Sequence, residues 1–171
     1  MNYLIDSTFK IFLVLMLCCS VAAANVKDEI TPQLNLPDFE GKIHQLNDWQ
    51  GKTLVLNFWA TYCIPCKQEI RDLIKYQEQY EQHGLQVVGI GVNEDHSIKT
   101  MSLLLGVNYP MLFADIEQPG NEDILIKWGN NKHMIPYTVV INNQGEIVFR
   151  HKGILKKDMF KEDILPLLKI K

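Results

Sequence analysis

Two cysteines separated by two residues, Cys63 and Cys66, form the feature that most constrains how this 171-residue chain can fold. They come directly after an apolar run at residues 54–58 and stand at the start of a stretch with helical periodicity. An apolar run of this length predicts a buried strand, and the pattern after it predicts a helix. The cysteine pair therefore lies between the end of a predicted strand and the start of a predicted helix. Pro65 suits the first turn of that helix, where its missing N–H costs no hydrogen bond.

This context is typical of a redox-active pair of thiols. Only a thiolate attacks a disulfide, and the free N–H groups at a helix N-terminus stabilise a thiolate. We therefore predict that Cys63 attacks and that Cys66, one helical turn further on, resolves the mixed disulfide. The alternative is half of a structural zinc site, which needs four ligands. After residue 24 the chain contains no further cysteine and no histidine pair at a short ligand spacing.

The N-terminus has the pattern of an export signal. Lys10 precedes fourteen residues, 11–24, whose only polar side chain is Ser20. This stretch is too short to span a bilayer, which takes about 20 residues, and three alanines at its end resemble a signal-peptidase site. We expect residues 1–24 to be a signal peptide cleaved after Ala24, which places the protein in the periplasm or another extracytoplasmic space. The alternative is an uncleaved membrane anchor.

Composition supports one domain, residues 25–171, and limits its partners. The net charge is −3 and no basic run occurs, so the chain lacks the pattern of a nucleic-acid-binding protein. A stabilising disulfide usually closes a long loop, whereas Cys63 and Cys66 close almost none. The pair is therefore better explained by chemistry than by a structural role, even in an oxidising compartment.

Strand and helix patterns alternate along the rest of the chain, and Ser97 is the expected N-cap of the second long helix. We predict a hairpin turning at residues 40–41, strands at 53–58, 86–92 and 111–113, helices at about 65–83, 97–105 and 122–128, a second hairpin from strands 137–141 and 146–150, and a closing helix at about 156–165. This order predicts an α/β fold with a central mixed sheet, parallel in its middle and antiparallel at its edge, flanked by helices.

Three segments, residues 57–69, 135–142 and 145–153, resemble the thioredoxin superfamily, and in particular its exported TlpA/ResA-like branch, which is related to the AhpC/TSA proteins. An inserted strand and helix between residues 86 and 115 resemble the same branch. The resemblance implies a thioredoxin-like fold with an N-terminal hairpin. It also implies a cis-proline at Pro136, preceded by Ile135, whose backbone is offered to an extended client segment.

By the same resemblance Cys63 is the nucleophile, Cys66 is the resolving thiol, and Glu69 exchanges a proton with Cys66. Glu69 follows Cys66 by three residues and therefore lies on the same helix face. A carboxylate beside an apolar stripe has a raised pKa, which suits proton exchange. The alternative is a solvated acid that the helix dipole stabilises. Arg71 stands where the family usually has a proline, so the customary helix kink is not expected.

We expect the client protein to contact a surface formed by Trp59, Tyr62, Ile64, Pro65 and Ile135. For Trp59 the alternative is packing beneath the site. Tyr62 occupies a position at which the family often has tryptophan. A peroxiredoxin activity is not expected, because Ala60 stands where that mechanism needs threonine and Leu56 where it needs proline.

The sequence thus predicts an exported thiol–disulfide oxidoreductase that reduces cysteine pairs in another exported protein. It would need no cofactor, because the disulfide carries the two electrons, and it would be recharged by a membrane-linked thiol donor. We expect a monomer. Two alternatives remain open: the same chemistry run as a thiol oxidase, and a copper-binding or copper-delivery module that uses the two cysteines with His133.

Overall fold

The computed structural model of the protein describes residues 31–92, 95–114 and 123–170. The predicted export signal lies outside these residues, and so does the first residue of the helix predicted at 122–128. Among the helices in the described ranges, none is long and apolar enough to cross a membrane.

The architecture consists of a short hairpin, three strand–helix units, and a second hairpin that is followed by a helix. The hairpin pairs β1 (Leu36–Pro37) with β2 (Ile43–His44) in antiparallel orientation, as predicted. The following elements are β3 (Thr53–Trp59), α1 (Ile64–Tyr80), β4 (Leu85–Gly91), α2 (Asp95–Leu105), β5 (Met111–Phe113), α3 (Ile124–Lys127), β6 (Tyr137–Ile141), β7 (Ile147–Lys152) and α4 (Lys157–Met159).

The main sheet has five strands in the order β5-β4-β3-β6-β7. β3 pairs in parallel with β4, and β4 pairs in parallel with β5. On its other side β3 pairs with β6 in antiparallel orientation, and β6 pairs likewise with β7. The predicted mixed sheet is confirmed, and β3, which ends just before the cysteine pair, lies at its centre.

β3 separates two apolar clusters, one on each face of the sheet. Val55 and Trp59 pack into the cluster that contains α1 and the C-terminal helix. Leu56 and Phe58 pack into the opposite cluster. Successive strand residues point to opposite faces, so Asn57 shares the face of Val55 and Trp59, towards α1.

The helix α1 runs without interruption from Ile64 to Tyr80, which agrees with the expectation that Arg71 introduces no kink. A short 3-10 turn, Glu81–His83, follows it. The chain then reverses at Gly84, whose φ of 90° is a left-handed conformation that glycine adopts without steric cost. The predicted end of this helix is confirmed.

Two predicted details were wrong. Ser97 does not cap α2, because the helix already includes Asp95 and Ser97 therefore lies inside its first turn. Ile98 of α2 packs into the core cluster on the α1 side, and this packing outweighs the preference of Ser97 for a capping position. The closing helix is not a single α-helix either. After α4 it continues as a π-helical turn, Phe160–Ile164, and ends in a 3-10 turn that contains Pro166, which has no N–H to continue the α-helical bonding.

Candidate active site

Cys63 lies at the N-cap of α1, as predicted. Its Sγ accepts a hydrogen bond of 3.2 Å from the backbone N–H of Cys66, and its own N–H donates to the carbonyl of Ala60. A helix N-terminus leaves such N–H groups without partners inside the helix. The helix begins here because Pro65 lies in its first turn, where backbone N–H groups have no partner inside the helix. Proline has no N–H and therefore leaves no unpaired donor at this position. The first helical turn therefore directs a donor at the sulfur of Cys63.

Cys63 and Cys66 are joined by a disulfide, with their Cα atoms 5.3 Å apart. Their exposure differs, since Cys63 is 7% exposed whereas Cys66 is completely buried. Of the two residues, only Cys63 has any surface in contact with solvent. The two cysteines therefore differ in their accessibility to another molecule.

Trp59 lies beneath the pair and is completely buried. Its indole Nε1–H donates to Sδ of Met111 at 3.1 Å. A side chain without exposed surface cannot contact a client, so the expectation that Trp59 forms part of the client surface was wrong. The alternative reading, packing beneath the site, is the observed one, because the last residue of the central strand points into the α1 side of the core.

Glu69 is buried, with 1% of its surface exposed. Its Oε1 accepts a hydrogen bond of 2.6 Å from the backbone N–H of Leu155, and its Oε2 accepts one of 2.6 Å from Nδ2 of Asn57. Burial raises the pKa of Glu69 to about 7, and the two hydrogen bonds, which favour the charged form, oppose that rise. The alternative of a solvated acid is excluded, because the carboxyl group is buried.

The peptide bond between Ile135 and Pro136 is cis, as predicted from the resemblance. Pro136 is buried, and half-buried Ile135 packs against the cluster that contains both cysteines. Buried Asn130 holds the loop before them: its Nδ2 donates to the carbonyl of Met134 at 2.6 Å, and its Oδ1 accepts from the N–H of Met134 at 3.3 Å. One side chain thus fixes both backbone groups of the residue that precedes Ile135.

Three of the predicted client-contact residues, Tyr62, Ile64 and Pro65, are exposed and lie next to Cys63 in the chain. Tyr62 is 73% exposed and Ile64 is 79% exposed. Ile135 is half-buried, and Met134, which precedes it, is 48% exposed. Exposed apolar side chains on both sides of Cys63 are compatible with an interaction surface.

His133 does not join the cysteines. Its Nε2 lies 3.0 Å from Oδ1 of Asp123, with which it forms an exposed ion pair when protonated. In the described part of the chain no group of three or more His, Cys, Asp or Glu side chains is arranged to hold a metal ion. No observation therefore favours the copper alternative.

Sequence reasoning missed three contributors to this site. Asn57 was the one polar residue inside the apolar run that precedes the cysteines, and this signal could have found it, because a buried amide needs a partner. Asn130 lay in a polar loop with nothing to distinguish it from its neighbours. Leu155 contributes only a backbone N–H, which leaves no trace in the sequence.

Comparison with known proteins agrees with this geometry. The AhpC/TSA family model matches residues 28–150. The thiol-disulfide oxidoreductase ResA of Halalkalibacterium halodurans is 30% identical over 128 residues, which cover 74% of this chain and 69% of that protein. ResA of Bacillus subtilis is 28% identical over 139 residues, covering 81% of this chain and 73% of that protein.

The fold is also that of solved structures. A thiol:disulfide interchange protein of the thioredoxin family from Chlorobium tepidum superimposes with a TM-score of 0.68 at 25% identity, covering 80% of this chain and 94% of that one. The family match spans both the cysteine pair and Pro136, and the relatives carry the name of the activity that the paired thiols suggest. The chain therefore belongs to the AhpC/TSA family and is a thioredoxin-like thiol–disulfide oxidoreductase of the ResA type.

Proposed function

We propose that the protein is exported and reduces disulfides in other exported proteins, with Cys63 as the attacking thiol and Cys66 as the resolving thiol. The observation that carries this assignment is the difference between the two sulfurs. Cys63 reaches the surface at a helix N-terminus and accepts a hydrogen bond from the N–H of Cys66, whereas Cys66 is completely buried. A client sulfur can approach only the first.

In the reduced enzyme the Cys63 thiolate attacks a client disulfide, forms a mixed disulfide and releases one client thiolate. Cys66 then attacks Cys63, which forms the enzyme disulfide and releases the second client thiolate. Cys66 must lose its proton before it attacks, and in this proposal the Glu69 carboxylate, one helical turn away on the same face, takes that proton. A carboxyl group with a pKa of about 7 suits a proton acceptor at neutral pH.

A membrane-linked thiol donor reverses these steps. The donor thiolate attacks the enzyme disulfide at Cys63, which releases Cys66 as a thiolate. The second thiolate of the donor then attacks the donor sulfur of this mixed disulfide, which releases Cys63 as a thiolate and leaves the donor as a disulfide, while protonated Glu69 returns its proton to Cys66. The enzyme needs no cofactor for this cycle, since two electrons pass from donor to client through the two sulfurs.

The exposed apolar side chains of Tyr62, Ile64 and Met134 support a protein client. Together with Pro65 and the backbone of Ile135 they would contact the residues that flank the client cysteines. A surface of this kind gains free energy by covering apolar area. A small polar disulfide would cover little of it.

Trapping in the native host tests this proposal. The Cys66→Ser variant, produced with its full N-terminal segment, should accumulate mixed disulfides between Cys63 and exported proteins, because the resolving step is blocked. The matched control is Cys63→Ser, which keeps only the buried thiol and should trap nothing. Equal trapping by both variants, or trapping of cytoplasmic proteins only, would overturn the proposal.

The reduction potential decides the direction of the reaction. A value near ~−270 mV is typical of a reductant, whereas ~−120 mV is typical of a strong oxidant. We expect a value close to the first. Equilibration of the purified enzyme with glutathione and dithiothreitol couples measures it, and a value close to the second would identify a thiol oxidase.

A further inference from the structure

The carboxyl group of Glu69 has two different neighbours at its two oxygens. Oε1 faces the backbone N–H of Leu155, which can only donate. Oε2 faces the side-chain amide of Asn57, which can donate through Nδ2 or accept through Oδ1. Both neighbours donate in the structure, at 2.6 Å each, which is the arrangement that a carboxylate requires.

Protonation of Glu69 changes what the second neighbour must do. The added proton cannot point at the fixed donor of Leu155, so Oε2 carries it, and an O–H then faces Asn57. If the amide still presented Nδ2, its N–H would face the O–H of Glu69, and two donors would oppose each other. Rotation of the amide by half a turn presents Oδ1, which accepts the new proton.

The other end of the amide leaves this rotation open. Oδ1 of Asn57 is buried and has no hydrogen-bond partner within the described residues, so rotation breaks no other bond. A buried acceptor without a partner is rare in folded proteins and calls for a physical explanation. After the rotation Oδ1 accepts from protonated Glu69, and Nδ2 takes over the position that Oδ1 has left.

We propose that Asn57 is a positioning residue whose side-chain amide turns over as Glu69 gains and loses its proton, donating to the carboxylate and accepting from the carboxylic acid. This inference deepens the proposed function and rests on it, since it takes Glu69 as the group that exchanges a proton with Cys66. The amide keeps Glu69 in one position in both forms. The proton therefore leaves and returns along the same path.

The other groups near Glu69 do not replace this role. The hydroxyl of Thr138, opposite Asn57 on β6, also favours the charged form of Glu69. Within the described residues, however, this hydroxyl has no hydrogen bond of standard geometry. Asp72 on α1 opposes ionisation through its own charge. Burial raises the pKa of the Tyr109 hydroxyl, and the charge of Glu69 raises it further, so this group stays neutral at the pH values concerned.

Nuclear magnetic resonance of the oxidised protein tests the rotation directly. The side-chain carboxyl carbon of Glu69 and the side-chain amide signals of Asn57 should change between pH 5 and 9 with one common midpoint. In Glu69→Gln the Asn57 signals should stay constant and lie near the acid limit of the wild type, because the glutamine amide also presents a donor. Titration of Glu69 beside constant Asn57 signals would overturn this inference alone. A Glu69 that does not titrate would overturn both the inference and its proposed role in proton exchange.

The Asn57→Leu variant tests the consequence for the reaction. A hydrogen bond to a charged acceptor is stronger than one to a neutral group, so loss of the amide should raise the midpoint of the pH–rate profile by about one pH unit. We also expect the rate of disulfide resolution at pH 7 to fall about fivefold, since raising the midpoint from about 7 to about 8 lowers the carboxylate fraction from about one half to about one tenth.

The matched control is Gln77→Met, which removes another buried amide from the α1 side of the core. Gln77 lies on α1 and its Oε1 accepts a hydrogen bond of 2.7 Å from the N–H of Val87. This variant should lose stability without any change in the midpoint. An Asn57→Leu profile that keeps the wild-type midpoint would contradict the positioning role. If Asn57→Leu does not fold, the resonance experiment on the wild type still decides.

Discussion

The backbone N–H of Leu155 donates a hydrogen bond of 2.6 Å to Oε1 of Glu69, which lies 86 residues earlier in the chain. Leu155 is buried and packs into the same apolar cluster as the two cysteines. The loop between β7 and α4 is thereby tied to the helix that carries the disulfide. The carboxyl group of Glu69 is held from two sides, by this loop and by Asn57 on β3.

Burial of Glu69 makes the stability of the protein depend on pH. Its pKa in the folded state, about 7, lies above the ordinary value of 4.5, so the unfolded chain ionises first as the pH rises. The folded state therefore loses stability between pH 4.5 and 7, by about 3 kcal/mol if the full difference is realised. Glu69→Gln should remove this loss, so that the variant is the more stable protein at pH 8.5 but not at pH 4.

Urea unfolding of the oxidised wild type and of Glu69→Gln at both pH values measures this difference. Glu78→Gln is the matched control, because Glu78 lies on the same helix with its side chain exposed. It should show no pH-dependent gain. A gain of equal size at pH 4 and pH 8.5 would mean that Glu69 does not titrate between them.

The two cysteines should differ in their reaction with iodoacetamide. At pH 7 the thiol of Cys63 in Cys66→Ser should be alkylated at least about tenfold faster than the thiol of Cys66 in Cys63→Ser, because reactivity follows exposure and stabilisation of the thiolate. Mass spectrometry after timed quenching gives both rates. In 8 M urea the rates should converge to within about twofold, since the difference comes from the fold. Faster reaction of Cys66 in the native state would reverse the assigned roles.

Replacement of Asn130 should affect large substrates more than small ones. Asn130→Ala removes both hydrogen bonds to the part-buried backbone of Met134, and two such bonds contribute about 1–3 kcal/mol of stability. We expect reduction of a disulfide-containing protein to slow about tenfold, because a loss of about 1.4 kcal/mol of order in the loop before Ile135 corresponds to a factor of ten. Reduction of a small aromatic disulfide should change less than twofold, because it needs only Cys63.

The neighbouring Asn131→Ala is the control for Asn130→Ala, since Asn131 is exposed in the same loop. It should behave as the wild type towards both substrates. Equal slowing of both substrates in Asn130→Ala would assign Asn130 to stability alone.

Gly91 should not tolerate a side chain. It pairs with Trp59 across β3 and β4, and a Cβ at this position would lie 2.7 Å from Cδ1 and Cγ1 of Ile98 on α2. Gly91→Ala should therefore cost about 1–3 kcal/mol of stability through overpacking. Combination with Ile98→Ala should recover part of this loss, and urea unfolding of the four proteins of the cycle gives the coupling free energy.

Gly89→Ala provides the comparison for Gly91→Ala. Its Cβ would meet Sδ and Cε of Met111, the flexible end of an unbranched side chain that can move aside. We expect a smaller loss there. Additive effects of Gly91→Ala and Ile98→Ala would show that their contact is not the cause.

The sequence predicted those parts of the fold that depend on local chemistry. The start of α1 could be predicted because Pro65 suits the first turn of a helix, and its end could be predicted because Gly84 permits a left-handed turn. The cis bond at Pro136 came from the resemblance of a whole segment and not from the proline itself. The predicted start of α2 was wrong, because several consecutive polar residues can each begin a helix. The free-energy differences between these possible starts are smaller than the free energy gained by packing Ile98 and Met101.

The parts of the site that could not be predicted depend on contacts between distant segments. The position of Trp59 at the end of a strand does not determine whether its side chain is exposed or buried. In the structure the indole is buried against Met111. The burial of Glu69 could be expected from its spacing to Cys66, but its partners could not. One of them, Asn57, is twelve residues away and the other is a backbone group.

The long-range hydrogen bond at Leu155 also limits what can be transplanted. A segment from β3 to the end of α1 would carry the disulfide, Asn57 and Glu69 into another scaffold as one continuous piece. It would not include the backbone N–H of Leu155, which donates to Oε1 of Glu69. Without this donor nothing would direct the proton of the carboxylic acid to Oε2. A chimera built from this segment alone would inherit the sulfur chemistry without the acid–base chemistry, so modular exchange between members of this fold must take the chain beyond β7 as well.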